Sequence, residues 1–154
     1  MSLRDHQSQI SKTGIFVSPI GFGTVKLGRD QGVKYPNSFI IPDDKVALEL
    51  LATAKDCGIN LIDTAPAYGI SEQRLGTLLK GQRNDWVICS KVGEEFTAGK
   101  SHFDFTPEHT HTSVLRSLSR LNTDVIDMVL VHSDGNDEHI INHYGILEVL
   151  RDLK

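Results

Sequence analysis

The feature that most constrains this chain is an alternation repeated four times. A short apolar run rich in β-branched residues is followed each time by a longer run with apolar residues at helical spacing. The strand-like runs are residues 18–24, 60–65, 86–92 and 126–132. Asp43 or Asp44 starts the first full helix, which carries Val46, Leu48, Leu50, Leu51 and Ala54 and stops at Gly58, where a left-handed residue is wanted. Ser71 and Glu72 open a second helix through Leu75, Leu78 and Leu79 to Gly81. Thr106-Pro107-Glu108 is an N-cap with proline at the first helical position, leading into Val114, Leu115, Leu118 and Leu121. The last ten residues read as helix to the end. Parallel strands need a helix-length return, so this order predicts parallel pairing with right-handed crossovers. A Lys-Thr-Gly turn within residues 7–17 predicts a short hairpin ahead of the repeats. Residues 25–42 and 93–105 read as loops. No repeat boundary or linker divides the chain, so residues 1–154 are expected to form one domain.

Composition narrows the function classes. Asp and Glu outnumber Lys and Arg by 20 to 16 with no basic run, which argues against a nucleic-acid partner. No stretch approaches the ~20 apolar residues of a membrane helix, and the polar N-terminus has no apolar signal core. The expectation is a cytoplasmic protein without a membrane partner. Cys57 and Cys89 match no metal or redox spacing and are expected to be small buried apolar residues.

In parallel β/α folds chemistry gathers at the C-terminal strand ends. Here the second strand ends at Asp63, the third at Lys91 and the fourth at His132, and Tyr68 lies in the loop five residues beyond Asp63. Alternation puts Leu61 and Asp63 on one face, likewise Val87, Cys89 and Lys91, and likewise Met128, Leu130 and His132. Singly, each polar residue has an ordinary explanation: a loop cap, a snorkelling lysine, an end-of-strand histidine. Together they bring an acid, a base, an imidazole and a phenol to one end of a sheet, where a buried lysine needs the carboxylate beside it.

These residues lie in runs that resemble the aldo-keto reductases, NADP-dependent oxidoreductases built on a TIM barrel. The matching segments are GFGT at residues 21–24, NLIDTAPAYG with SEQRLG at 60–76, ICSKV at 88–92 and SLSRLNTDVIDMVLVHS at 117–133. The resemblance implies the N-terminal half of a (β/α)8 barrel: four parallel β/α units preceded by a short hairpin. It implies a catalytic tetrad of Asp63, Tyr68, Lys91 and His132, with Thr24 and Asp63 approaching the nicotinamide and its ribose. It also implies a small aldehyde or ketone as substrate, reduced by hydride transfer with Tyr68 as the general acid. Lys91 would bring the tyrosine pKa down toward neutrality, Asp63 would hold Lys91, and His132 would donate to the carbonyl oxygen. Asn122 stands where the family often has glycine, and Ser133 where many members have tryptophan.

Other motifs fail. Gly21-x-Gly23 lacks the third glycine of a dinucleotide fingerprint, and Arg29-Asp30 replaces the Lys-Ser/Thr of a P-loop. His139 and His143 read as a solvated surface pair, His109 and His111 as exposed first-turn residues, residues 134–138 as a turn, and no metal site is expected. A complete barrel takes ~250 residues. The resemblance therefore implies that most NADP(H)-binding residues belong to the C-terminal half. Alternatives to a self-sufficient enzyme are an inactive truncated or split half-barrel, a half-barrel paired with a second half-barrel chain or as a homodimer, and a non-catalytic partner-binding module.

Overall fold

The computed structural model describes residues 3–154. After a 3-10 turn at Leu3–His6 come a hairpin of β1 (Ser8–Gln9) and β2 (Phe16–Val17), then β3 (Gly21–Gly23), the one-turn α1 (Val25–Gly28), α2 (Asp44–Asp56), β4 (Leu61–Asp63) and α3 (Ser71–Leu78). There follow β5 (Val87–Val92), a hairpin of β6 (Glu94–Thr97) and β7 (Lys100–Phe103), α4 (Pro107–Leu121), β8 (Met128–Val131), α5 (Asp137–His143) and α6 (Ile146–Asp152). The four central strands form one parallel sheet in the order β3-β4-β5-β8, with Gly23 level with Asp63, Asp63 with Cys89, and Lys91 with Leu130.

Alternate residues of each strand point to opposite faces. One face is covered: Ile62 and Ile88 pack with Ala47, Leu51, Ala54, Leu75, Leu78 and Leu121 beneath α2, α3 and α4. A second apolar cluster sets Val92 and Phe105 against Val114, Ile140 and Ile146. The inner face is open, and Leu130 on it is 50% exposed. Although the strands are nearly all apolar, among the described residues the helices pack on one side.

Caps form where the sequence places them. Asp43 accepts from Val46 N at 2.8 Å, and the Thr106 hydroxyl accepts from His109 N at 3.3 Å. Asn122 closes α4 at φ 50°, ψ 51°, which explains an asparagine where glycine is common. Several expectations are corrected. The buried stripe of α2 is Ala47, Leu51 and Ala54, while Val46, Leu48 and Leu50 are exposed. Residues 93–105 contain the β6–β7 hairpin, because Ala98 and Gly99 both take positive φ (52° and 77°) and close a tight turn between two strands. Residues 25–42 begin with α1, and the polar run 137–143 is α5. Cys57 is exposed because it caps the outward end of α2; Cys89 is buried. His109 is only partly exposed, since α4 turns it 3.2 Å from Glu95. Among the described residues, no helix is long and apolar enough to cross a membrane. Nor does any group of three His, Cys, Asp or Glu side chains there suit a metal ion.

Candidate active site

The site begins with the way β3 and β4 end together. Thr24 N donates to the Asp63 carbonyl at 3.0 Å and the Thr24 hydroxyl to the same oxygen at 2.9 Å. Ser71 Oγ then donates to the Thr24 carbonyl at 3.0 Å and lies 2.8 Å from its hydroxyl. Thr24 is fully buried, so its side chain holds the Asp63 backbone from behind rather than facing the cleft. The Tyr68 loop is seated by a close backbone crossing. A Cβ on Gly28 would lie 2.3 Å from the Tyr68 carbonyl, and one on Gly69 would lie 2.1 Å from the Gly28 carbonyl.

Above this support Tyr68 meets the three strand-end residues Asp63, Lys91 and His132. Lys91 Nζ lies 2.6 Å from Asp63 Oδ2 and donates to the Thr64 carbonyl at 3.1 Å. It stands 4.8 Å above the Tyr68 ring, a cation-π distance. The Tyr68 hydroxyl donates to Asp63 Oδ1 at 3.4 Å, a long bond. The His132 ring sits edge-on to Tyr68 with centroids 6.1 Å apart. The structure thus brings Asp63, Tyr68, Lys91 and His132 together.

Burial lowers the Lys91 ammonium, but the Asp63 hydrogen bond and charge, with Tyr68 adding, leave it above its ordinary value. The pair therefore keeps its cation at neutral pH. Tyr68 differs from expectation. Burial, with Asp63 adding, raises the phenol more than Lys91 lowers it, so its net shift is upward and the hydroxyl stays protonated. Burial also lowers the His132 imidazole, opposed in part by Glu94. The buried Cys89 thiol is raised, chiefly by burial, and stays a thiol.

Sequence reasoning missed the wall that Glu94 and Arg29 build beside Tyr68 and His132. Glu94 is buried, with Oε2 2.9 Å from His132 Nδ1. Arg29, also buried, donates to the carbonyls of Gln31, Gly32 and Ala67 and stacks 3.5 Å from the Phe96 ring centre. The one available signal was position: Glu94 lies three residues beyond Lys91, just past a strand end. Tyr68, His132, Glu94 and Arg29 line a cleft of about 630 Å³ with Tyr35, Phe103 and several polar residues. Polar groups at strand ends around a cleft of this size form a chemically equipped pocket.

The profile described as "Aldo/keto reductase family" matches residues 19–154. The chain belongs to the aldo/keto reductase family. It is 36% identical over 128 residues to L-galactose dehydrogenase of Arabidopsis thaliana, covering 80% of this chain and 36% of that protein. It is 34% identical over 143 residues to D-arabinose 1-dehydrogenase of Saccharomyces cerevisiae, covering 90% of this chain and 38% of that protein. A crystal structure from Pseudomonas aeruginosa, assigned as an aldo-keto reductase, superposes with TM-score 0.92 at 57% identity, covering 99% of this chain and 57% of that one. The aldo/keto reductase chain described here thus spans well under two-thirds of each relative's length. Its four-stranded parallel sheet corresponds to the N-terminal half of the relatives' (β/α)8 barrel.

Proposed function

We propose that this chain carries the proton-handling site of an NADP(H)-dependent oxidoreductase that interconverts a small aldehyde or ketone and its alcohol. The observation behind the proposal is the 2.6 Å Asp63–Lys91 pair set against Tyr68, with the His132 ring edge-on to Tyr68 in the cleft wall. NADP(H), when bound, supplies or accepts the hydride. The residues here fit the nicotinamide end of such a cofactor: the Asp63 side chain keeps 38% exposure while paired, leaving carboxylate surface for a ribose hydroxyl. Thr24 contributes by fixing the Asp63 backbone. The remaining grip on the cofactor is assigned to other barrel units.

In reduction, negative charge develops on the carbonyl oxygen and must be met by a proton. Tyr68 holds its proton through neutral pH, and an alkoxide is far more basic than a phenolate, so transfer runs downhill. Lys91 then stabilises the phenolate through its nearby positive charge, while Asp63 keeps the ammonium in place. His132 meets the substrate oxygen from the other side. Arg29, Lys34, Ser101, Ser133 and Asp134 make the cleft wall polar, which suits a hydroxylated substrate of the kind named for the two dehydrogenases above. The test is Tyr68→Phe in the barrel protein, assayed for NADPH-dependent reduction of simple aldehydes and for aldose oxidation. We expect a loss of about 10²- to 10⁴-fold in kcat. Turnover close to wild type would remove Tyr68 from the mechanism.

A further inference from the structure

The cleft wall beside Tyr68 is built around a carboxylate that meets an imidazole. Gly93 makes this possible. Its φ of +108° turns the chain between β5 and β6, and a Cβ there would lie 2.5 Å from the Phe105 ring. The turn carries Glu94 back beside His132, whose backbone N–H donates to the Val92 carbonyl at 2.8 Å. The two Glu94 oxygens have separate partners. Oε1 accepts from Ser101 Oγ at 2.5 Å and lies 3.5 Å from Arg29 Nη1. Oε2 faces His132 Nδ1 at 2.9 Å.

His132 Nδ1 is buried and has no aligned hydrogen bond, so its contact with Glu94 acts through charge. The His132 side chain nevertheless keeps 27% exposure, which must come from the rest of the ring. An unprotonated Nδ1 would leave an electron-rich nitrogen 2.9 Å from a carboxylate oxygen, a repulsive arrangement in a buried place. A protonated Nδ1 turns the same distance into an attraction.

We infer that Glu94 is a positioning residue for His132: it holds the imidazole proton on Nδ1 and leaves Nε2 to face the substrate oxygen. The functional consequence rests on the oxidoreductase reading above. A neutral His132 with its proton on Nδ1 has only a lone pair at Nε2 and donates nothing to the substrate oxygen. A doubly protonated His132 donates through Nε2 to a carbonyl oxygen, the arrangement needed for reduction, and Glu94 stabilises that cation. Glu94 thus raises, against the burial of the ring, the pH below which Nε2 becomes a donor. The other charged or titratable groups around the ring are Lys91 on β5, Asp63 on β4, Tyr68 after β4 and Arg29 after α1. Removing Glu94 would leave Asp63 as the remaining anion among them.

The experiment is long-range ¹H–¹⁵N NMR of the histidine rings in the ¹⁵N-labelled full chain, titrated with pH. In the unaltered protein, neutral His132 is expected to carry its proton on Nδ1. Glu94→Gln should shift the proton toward Nε2 and lower the titration midpoint by about one pH unit, and Glu94→Asp should restore the original tautomer. A neutral His132 protonated on Nε2 in the unaltered chain would overturn the inference without any variant. So would a Glu94→Gln protein with unchanged tautomer and midpoint. In the barrel protein, Glu94→Gln should lower kcat for reduction by about tenfold and displace the pH profile downward. An unmoved profile in an active Glu94→Gln enzyme would also overturn it. Because the NMR needs no turnover, a protein that reduces no carbonyl would refute the oxidoreductase reading and leave the Glu94–His132 result standing.

Discussion

On the β4–β5 side of Tyr68, Asp63 and Lys91 meet at 2.6 Å, and both are anchored to strand ends tied by Thr24, Ser71 and the Thr64 carbonyl. On the β8 side, His132 meets a glutamate delivered by a two-stranded hairpin, at 2.9 Å and without alignment. The first side draws its geometry from backbone hydrogen bonds beside the main apolar cluster. The second draws it from charge and from an arginine wedged among three carbonyls and a phenylalanine ring. In the mechanism we propose, the proton donor must hold one position and the histidine must respond to its surroundings, and the two constructions suit those roles.

The comparison breaks most directly at Lys91. Lys91→Met removes the cation and leaves a partly buried carboxylate beside Tyr68. We expect kcat/KM to fall by about 10²- to 10³-fold in steady-state assays, with His132 titrating at higher pH in NMR because a neighbouring positive charge is gone. The packing beneath this side can be tested separately. Gly28→Ala would place a Cβ 2.2 Å from Ser71 N, whereas a Cβ on Gly23 would meet nothing within 4 Å. Urea denaturation should show Gly28→Ala losing about 2–4 kcal/mol and Gly23→Ala losing little.

Titration separates the two sides by sign. Lys91 and Tyr68 are both raised, from 10.5 and 10.0, so the folded chain binds these protons more tightly than the unfolded chain. Their contribution to stability is complete below those values and is lost as pH climbs through the raised ones. His132 is lowered from 6.5, so the unfolded chain binds that proton more tightly. Its contribution is present above 6.5 and is lost as pH falls through the lowered value. Thermal melts across the pH range should decline at both ends, and Lys91→Met should flatten the alkaline arm. The smallest effect is expected at the wall: Phe96→Leu removes the stack on Arg29 and should cost about 1 kcal/mol by urea denaturation.

The two sides also differed in how visible they were in the sequence. Asp63, Lys91 and His132 close apolar runs that can only be strands, and the DTAPAYG segment fixes Tyr68 nearby. The Glu94 side was hidden because residues 94–103 lack apolar alternation and turn at Ala98-Gly99, a weaker hairpin signal than Asn-Gly or Asp-Gly. Helix α5 escaped for a similar reason, since DEHIINH buries Ile140 alone. The Tyr68 shift was misjudged in direction because burial, the larger influence, depends on tertiary packing.

The strand order β3-β4-β5-β8 follows the order of synthesis. Each strand therefore emerges from the ribosome next to a sheet edge that is already made, and no strand of this sheet must wait for a distant partner. Asp63, Tyr68 and Lys91 are all synthesised before Glu94 and His132. The rigid side of the cleft can be in place before the responsive side exists, so the later residues dock onto a finished surface as translation proceeds.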